Sequence, residues 1–588
     1  GLSALAANTT ANDNIAIGSE AMAANTTGTS NIAIGPNALD ANVTNSYNTA
    51  IGPAALGAST ADSNTAVGYS ALAANTTAVY GTAVGVNALA SNTTGASNVG
   101  VGHKALYANT TGHSNVAVGR DALVSNTTAN YNAAVGTYAL ETNVDGSRNA
   151  AFGYGALRTF DPSSATDTYN TGLGYAAGSA MTTGTLNTAV GGNSMAVVTT
   201  GSSNTAVGAL ALDATTTASN NTAVGSYALS ANTTGADNNA FGMSALKVNT
   251  TGGDNNAFGK QCLQDNTTGA SNSAFGHAAL DDNTTGSYNN AFGSGCLTEM
   301  TTGTHNCGFG YHTLKQVDTE GDNAAFGNYA GGRIQGSRNA FLGYQSAYGA
   351  DNGGSNDNVA VGFLAGYSFN GSDGSTLVGS RAGQAITSGD NNVCVGYYAG
   401  NYTNAITTGA QNICIGNYTH PSGVDGTYQF TIGYNVMGYG NDFFTFGRQS
   451  TRTYVGLGNT NWGSSSDTRM KENIADETIG LSFINEIRPV TFQWKKEKDI
   501  PSELNSYVEG SEERTHNGKY NHGFIAQEIK TVMDKYDFKD GFDLWSEDES
   551  DGTQGIAPTA LIPILVKALQ EADDKIDALT ARVTTLEG

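Results

Sequence analysis

Ser466 and Lys471 stand five residues apart in the segment Ser466-Asp467-Thr468-Arg469-Met470-Lys471-Glu472-Asn473-Ile474, a spacing that could support covalent chemistry. A serine hydroxyl attacks a carbonyl once a base takes its proton. A lysine serves as that base when burial or nearby cations lower its pKa enough to free the lone pair. A surface Ser-Asp helix cap followed by charges has the same spelling, so spacing alone leaves both readings open. The five cysteines are an odd number for a disulfide framework. Cys262, Cys296, Cys394 and Cys414 take positions that elsewhere hold alanine, and Cys307 falls in a strand phrase, so all five read as small hydrophobes. No metal or other cofactor is expected. Asn-x-Thr sequons begin at Asn8, Asn25, Asn75, Asn92, Asn109, Asn126, Asn232, Asn249, Asn266 and Asn283. They could accept glycans, and their aligned threonines could form an ice-binding face. The preferred reading is structural, because Asn and Thr at a repeated turn stack into hydrogen-bonded ladders and create sequons as a by-product.

The element that carries most of these residues is a repeat. An Asn, two small or β-branched residues, a large apolar residue and a Gly return from Gly18 to Gly416, and 18 of the 23 intervals between the 24 glycines are 17 residues long. That regularity marks a stacked solenoid. In the type segment Asn221-Thr222-Ala223-Val224-Gly225-Ser226-Tyr227-Ala228-Leu229, the residues before Gly225 form a strand too short to stand alone. Copies can pair turn upon turn in a parallel ladder about 4.8 Å apart. The residue before the Gly is large and apolar in all 24 copies, including a run of six phenylalanines from Phe241 to Phe326. These are expected to stack inside the rod as an aromatic ladder. The residue before that is Ala, Gly or Cys in 22 of 24 copies, with Phe341 and Leu377 the exceptions, so it is expected to face a neighbouring chain on a shared axis. Pairs such as Ala38-Leu39 and Ala71-Leu72 close the core from the other side. Insertions near Arg158 to Asn170 and Gly343 to Asn358 are expected to bulge outward at Phe160, Asp161, Pro162 and Tyr348.

Composition sets limits on partners. The net charge of −24 and the lack of a basic, aromatic-interleaved patch argue against nucleic acid. No run of 18 apolar residues is present, so no membrane-spanning helix is expected. The 8 Pro and 13% charged residues fall below globular norms, but a fixed apolar position in each repeat argues against disorder. Gly1 lies 17 residues before Gly18, and Ala4, Leu5 and Asn8 match later repeats, which predicts a region preceding residue 1.

After Gly416 the rhythm gives way to alternating aromatic segments, Tyr428 to Ile432, Phe443 to Phe446 and Thr453 to Leu457, read as strands of a neck over residues 417–463. The last 125 residues, 464–588, hold 14 of the 26 Lys+Arg and 25 of the 50 Asp+Glu and read as a separate domain. Ile562, Leu565, Leu569, Ala572, Ile576, Leu579, Val583 and Leu586 alternate spacings of three and four, the seam of a parallel coiled coil over about 558–588. A lone amphipathic helix packed on its own domain would show a similar stripe, but Asp573, Asp574, Lys575 and Asp577 outside the seam favour self-association.

From Ser466 onward the sequence closely resembles the C-terminal intramolecular chaperone domains of bacteriophage tail fibres and tailspikes, the S74 peptidase family. Ser466, Asp467, Arg469, Lys471 and Ile474 spell its signature, and Phe483 to Lys495, His522 to Glu528 and the terminal Leu-rich helix follow its pattern. The resemblance implies a domain that trimerises, templates folding of the fibre ahead of it, and cuts itself off before the signature serine. In this sequence Ser466 would attack the carbonyl of Ser465 and Lys471 would act as base. Asp467 and Arg469 would position or polarise the site. The 17-residue units look like the head repeats of trimeric autotransporter adhesins, which implies a parallel β-roll.

The expected fold class is therefore mainly β: a trimeric β-roll shaft over 1–416, a β-rich neck, and a small α/β chaperone domain ending in a coiled-coil helix. The expected function is a homotrimeric, phage-type adhesive fibre with a single-turnover serine autoprotease at its end and a non-enzymatic shaft. Its expected partner is a cell-surface receptor or glycan, at a virion tail or an extracellular surface. A cellular adhesin or extracellular filament subunit with the same chaperone is the alternative, and an ice-binding rod the third reading. A polysaccharide-cleaving enzyme is disfavoured, since no paired carboxylates sit in an inserted domain.

Overall fold

Between Asn221 and Asn238 the chain completes one coil and returns beside its own start. The strand Thr222–Val224 has only three residues and is held by parallel neighbours on both sides, with Ala206, Ala223 and Ala240 in register. Gly225 then turns the chain at φ 137°. A Cβ there would stand 2.5 Å from the Gly242 carbonyl oxygen of the next coil, so the backbone angle and the close approach both require glycine. Tyr227, Leu229 and Asp237 lie in the left-handed region at φ 62°, 51° and 60°. Side chains occupy that region only where surroundings impose it. Here bonds between coils impose it, such as the one from the Leu229 N–H to the Ala245 carbonyl at 3.0 Å.

This unit repeats through about 25 turns of a β-solenoid, the mainly β architecture expected from the 17-residue rhythm. The computed structural model describes all residues except 351–353, 450, 458–462, 465–470, 515, 517, 537, 539–541 and 549–550. The chain divides into two units, Gly1–Ser465 and Ser466–Gly588. In the first, the parallel ladder starts at Ile15–Ile17 and runs on past Phe430–Tyr434 to Phe443–Arg448, where Thr451–Gly456 pairs back antiparallel.

The interior corrects the expected orientation of the strands. Ala33, Ala66, Ala223 and Ala274 at the strand centres are fully buried, whereas Phe241 is 36% and Phe326 43% exposed. The aromatic ladder exists, with ring centroids 4.5 to 4.8 Å apart from Phe241 to Phe326, but it runs along the outer face. Volume explains the reversal. From Leu39 on, the leucine of the Ala-Leu pairs in the coils, as at Leu39, Leu72 and Leu229, is fully buried against the strand centre. A Cβ on Gly172 would already come within 3.0 Å of Leu157 Cγ. The small residue makes room for that leucine, not for a second chain. The two exceptions fit the same rule. Phe341 packs over Gly331, and Leu377 over Gly366 and Gly383, glycines that replace the leucine of other turns. The insertion near residue 160 is likewise corrected. Phe160 is fully buried in the column that Asn126 and Asn143 occupy, and Pro162 is buried beside it, leaving 163–167 exposed. Tyr348 is half-buried and stacks on Tyr367 at 5.5 Å.

Two asparagine columns fill the rest of the core. Asn221 donates its N–H to Asn204 Oδ1 at 3.0 Å and its Nδ2 to the Gly235 carbonyl at 3.0 Å. Asn249 Nδ2 donates to Asn232 Oδ1 at 2.9 Å and to the Gly252 carbonyl at 2.9 Å. Most of these buried amides bond to the coil beside them or to the turn they close, while the Oδ1 atoms of Asn42, Asn75, Asn143 and Asn283 find no hydrogen-bond partner. Cys262, Cys296, Cys394 and Cys414 are buried free thiols and Cys307 is half-buried. Burial pushes the Cys262 and Cys296 thiols up to about 12, which makes them unreactive near neutral pH.

Among the described residues, the second unit holds three α-helices, α1 (Leu481–Glu486), α2 (Ala526–Met533) and α3 (Leu561–Glu587). Two antiparallel hairpins, Val490–Phe492 with Asn521–Gly523 and Trp545–Glu547 with Gln554–Ile556, lie between them in sequence.

Two predictions follow from the coil geometry. Gly225→Ala should destabilise the shaft by more than about 2 kcal/mol in thermal unfolding, since it combines a strained φ with a backbone clash. Gly192→Ala, where a Cβ meets nothing within 4 Å, is the control and should be silent. Burial, with the neighbouring carboxylates of Asp282 and Asp265, raises Asp281 to about 6. An unfolded chain gives up that proton more easily, so ionising Asp281 works against the fold. Shaft stability should therefore gain a contribution as pH falls from about 7 to about 5, and Asp281→Asn should remove that part of the pH dependence in melting curves.

Candidate functional site

The second unit is organised around Phe483 of α1. Its ring is fully buried and meets Tyr536 edge-on at 5.3 Å and Phe538 at 5.1 Å. Ile529 and Val532 of α2, Leu544, and Leu561 and Ile564 of α3 complete this core. α1 has no side-chain cap of its own. Its first N–H, on Leu481, donates instead to a carboxylate oxygen of Glu571 on α3 at 2.9 Å, which fixes where the segment ahead of α1 enters the domain.

That segment carries the candidate dyad. Ser465, Ser466, Asp467 and Arg469 lie outside the described residues. Lys471 is described and is exposed. The other residues of the signature pattern have definite positions. Phe492, Trp494, His522, Phe524 and Gln527 line a cleft of about 580 Å³, together with Gln554 to Ile556 and Pro558. Arg488 grips Glu528 with both arms of its guanidinium, the Nε at 3.0 Å, and holds that carboxyl below its ordinary range. This pair ties the chain entering the first hairpin to the start of α2. Glu486 accepts from Lys535 at 2.7 Å and from Tyr536 at 2.9 Å, which pins α1 to the end of α2. Phe492, Trp494, His522 and Gln527 fall within the segments that carry the family pattern, but the pattern assigns them no role. The i, i+2 spacing of Phe492 and Trp494, which puts both on one side of an extended chain, is the signal that could have found the cleft.

α3 separates its two apolar faces. Leu561, Ile564 and Ala568 are buried in the domain, while the heptad residues Ile562, Leu569, Ile576 and Leu586 are 57%, 70%, 59% and 85% exposed. The stripe that packs on the domain is therefore a different one from the heptad seam.

In the shaft, the sequons are structural. Asn25, Asn75, Asn92, Asn109, Asn126, Asn232, Asn249, Asn266 and Asn283 are buried. Each donates its Nδ2 to the carbonyl three residues on. A glycan on any of them would have to break the core. Asn8 is exposed. The first threonine of the phrase gives its hydroxyl to the next coil, as from Thr233 to the Thr250 carbonyl at 2.9 Å. Among the described residues, no group of three His, Cys, Asp or Glu could hold a metal ion, and no helix is long and apolar enough to cross a membrane.

Compared with known proteins, residues 466–537 match the family model of peptidase S74, described as the chaperone of endosialidase. No curated protein and no solved structure matches the chain. A chaperone domain of this family behind a β-solenoid of about 17 residues per turn fits a tail fibre with a C-terminal chaperone.

Proposed function

We propose that three copies of this chain assemble into a fibre that attaches to a cell surface, folded and brought into register by a C-terminal unit that then cuts itself off before Ser466. The observation that carries this reading is the outer face of the solenoid. The third strand residue is Ile, Val, Leu or Phe in all 24 repeats. It stays open on the single chain, 58% at Ile17, 48% at Leu173 and 52% at Leu342. An apolar column of that length far exceeds the few hundred Å² that a monomer leaves uncovered. A parallel copy in the same register offers a matching apolar residue at every height. The exposed heptad seam of α3 supplies a second surface of the same kind. The number three comes from the trimeric fibres of the matching family.

In the cleavage step, Lys471 takes the proton of Ser466 as its Oγ adds to the Ser465 carbonyl. The C–N bond then breaks, the Ser466 nitrogen takes up the proton, and water hydrolyses the resulting ester. Asp467 and Arg469 position or polarise the site.

Two measurements test the proposal. Expressed intact, the chain should yield a fragment of residues 1–465, and Ser466→Ala should stay full length. Equal full-length bands from both would remove the autoprotease. Light scattering of Ser466→Ala should give a mass near three times 60.1 kDa. Adding Phe275→Asp and Phe292→Asp should lower it while leaving the β circular dichroism intact. A 60.1 kDa particle from Ser466→Ala alone would overturn the assembly.

A further inference from the structure

The apolar column and the buried asparagines do not account for the exposed tyrosines, and those on the last parallel coils stand together. Tyr397 and Tyr434 follow the turn glycines Gly396 and Gly433, and Tyr402 stands on the loop between them. They are 42%, 50% and 45% exposed. All three gather around Tyr418. Tyr397 meets it at 5.3 Å and 84°, Tyr402 at 4.8 Å and 60°, and Tyr434 at 6.1 Å and 87°. Rings held edge to face in this way keep fixed orientations, so the cluster presents preformed flat faces with phenol hydroxyls at their rims.

Charge narrows the partner. From Asn391 to Asn441 the sequence holds seven tyrosines and a single charged residue, Asp425. His420 lies buried beneath Tyr402, its ring 6.0 Å away, and burial lowers its pKa, so it adds no charge near neutral pH. The nearest guanidiniums, Arg381 over the Tyr398 ring at 5.3 Å and Arg452 over the Tyr439 ring at 6.0 Å, are already engaged by aromatic faces, and the net charge of −24 on the chain disfavours a polyanion. A polycation would find one carboxylate. A sugar ring fits, because it pairs an apolar C–H face with a rim of hydroxyls, as a tyrosine pairs an apolar ring with one. Successive coils lie about 4.8 Å apart, comparable to one sugar unit, so neighbouring sugars can address neighbouring coils.

Resting on the adhesive reading above, we infer that the tyrosine cluster around Tyr418 binds an uncharged polysaccharide. The test is affinity electrophoresis of the full chain through gels containing dextran, mannan or galactan, with hyaluronate as the anionic comparison. Retardation is expected in at least one neutral gel. Tyr397→Ala/Tyr402→Ala/Tyr434→Ala should weaken it by roughly tenfold or more, as the loss of several aromatic anchors does. The more exposed Tyr47→Ala/Tyr80→Ala pair should leave it unchanged, and light scattering should show the same mass for all three proteins. No retardation in any neutral gel, retardation by hyaluronate alone, or equal retardation of the triple variant would overturn the inference. If the triple variant is retained on whole cells as well as the unaltered chain, the tyrosine surface falls and the adhesive reading stands.

Discussion

Everything in the shaft depends on hydrogen bonds between one coil and the next. A strand of three residues such as Thr222–Val224 has no stability of its own. It exists because the coils on either side satisfy its backbone and because buried asparagines such as Asn204 and Asn221 bridge the same gap with their side chains. Such an array is close to one-dimensional, since each coil is stabilised mainly by its two neighbours. The turn glycines carry the same constraint in steric form. With neighbouring backbones within 2.5 Å of where a Cβ would stand at Gly225, the coil spacing required for bonding leaves no room for a side chain.

Close spacing also decides what is inside. A coil of 17 residues encloses little volume, and one buried leucine with two asparagines nearly fills it. The strand centre is left with a methyl group, and a larger side chain enters only where the leucine has become glycine, as at Phe341 and Leu377. The large apolar residue of each strand is thereby displaced to the outer face, where the Phe ladder and its Ile and Val counterparts remain partly uncovered. Core packing of one chain and the surface it offers to another are two results of one volume limit.

Near-identical coils bring a cost in accuracy. Chains that pair through such an outer column could slip by a whole turn and still match apolar residue to apolar residue, so the local contacts discriminate poorly between registers. The second unit has a core that does not repeat, built on Phe483, Ile529 and Ile564, and in the proposed assembly it would offer one register where the coils offer many. That is a physical reason for a chaperone unit to follow a repetitive shaft.

The 17-residue period, the burial of the Ala-Leu pairs, the structural use of the sequons and the inertness of the cysteines were all legible in the sequence, because each follows from spacing or residue type repeated many times. The direction in which each strand faces was not. Alternation says that Ala223 and Val224 point to opposite sides, and it says nothing about which side holds the leucine. The same ignorance put Phe160 outside, when its place in the asparagine column buries it. The sequence by itself determined the repeat and the parallel stacking. Only the tertiary structure decided inside from outside, gathered Tyr397, Tyr402, Tyr418 and Tyr434 into one cluster, and separated the heptad seam of α3 from its buried face, because each of these depends on the volume left by residues distant in sequence.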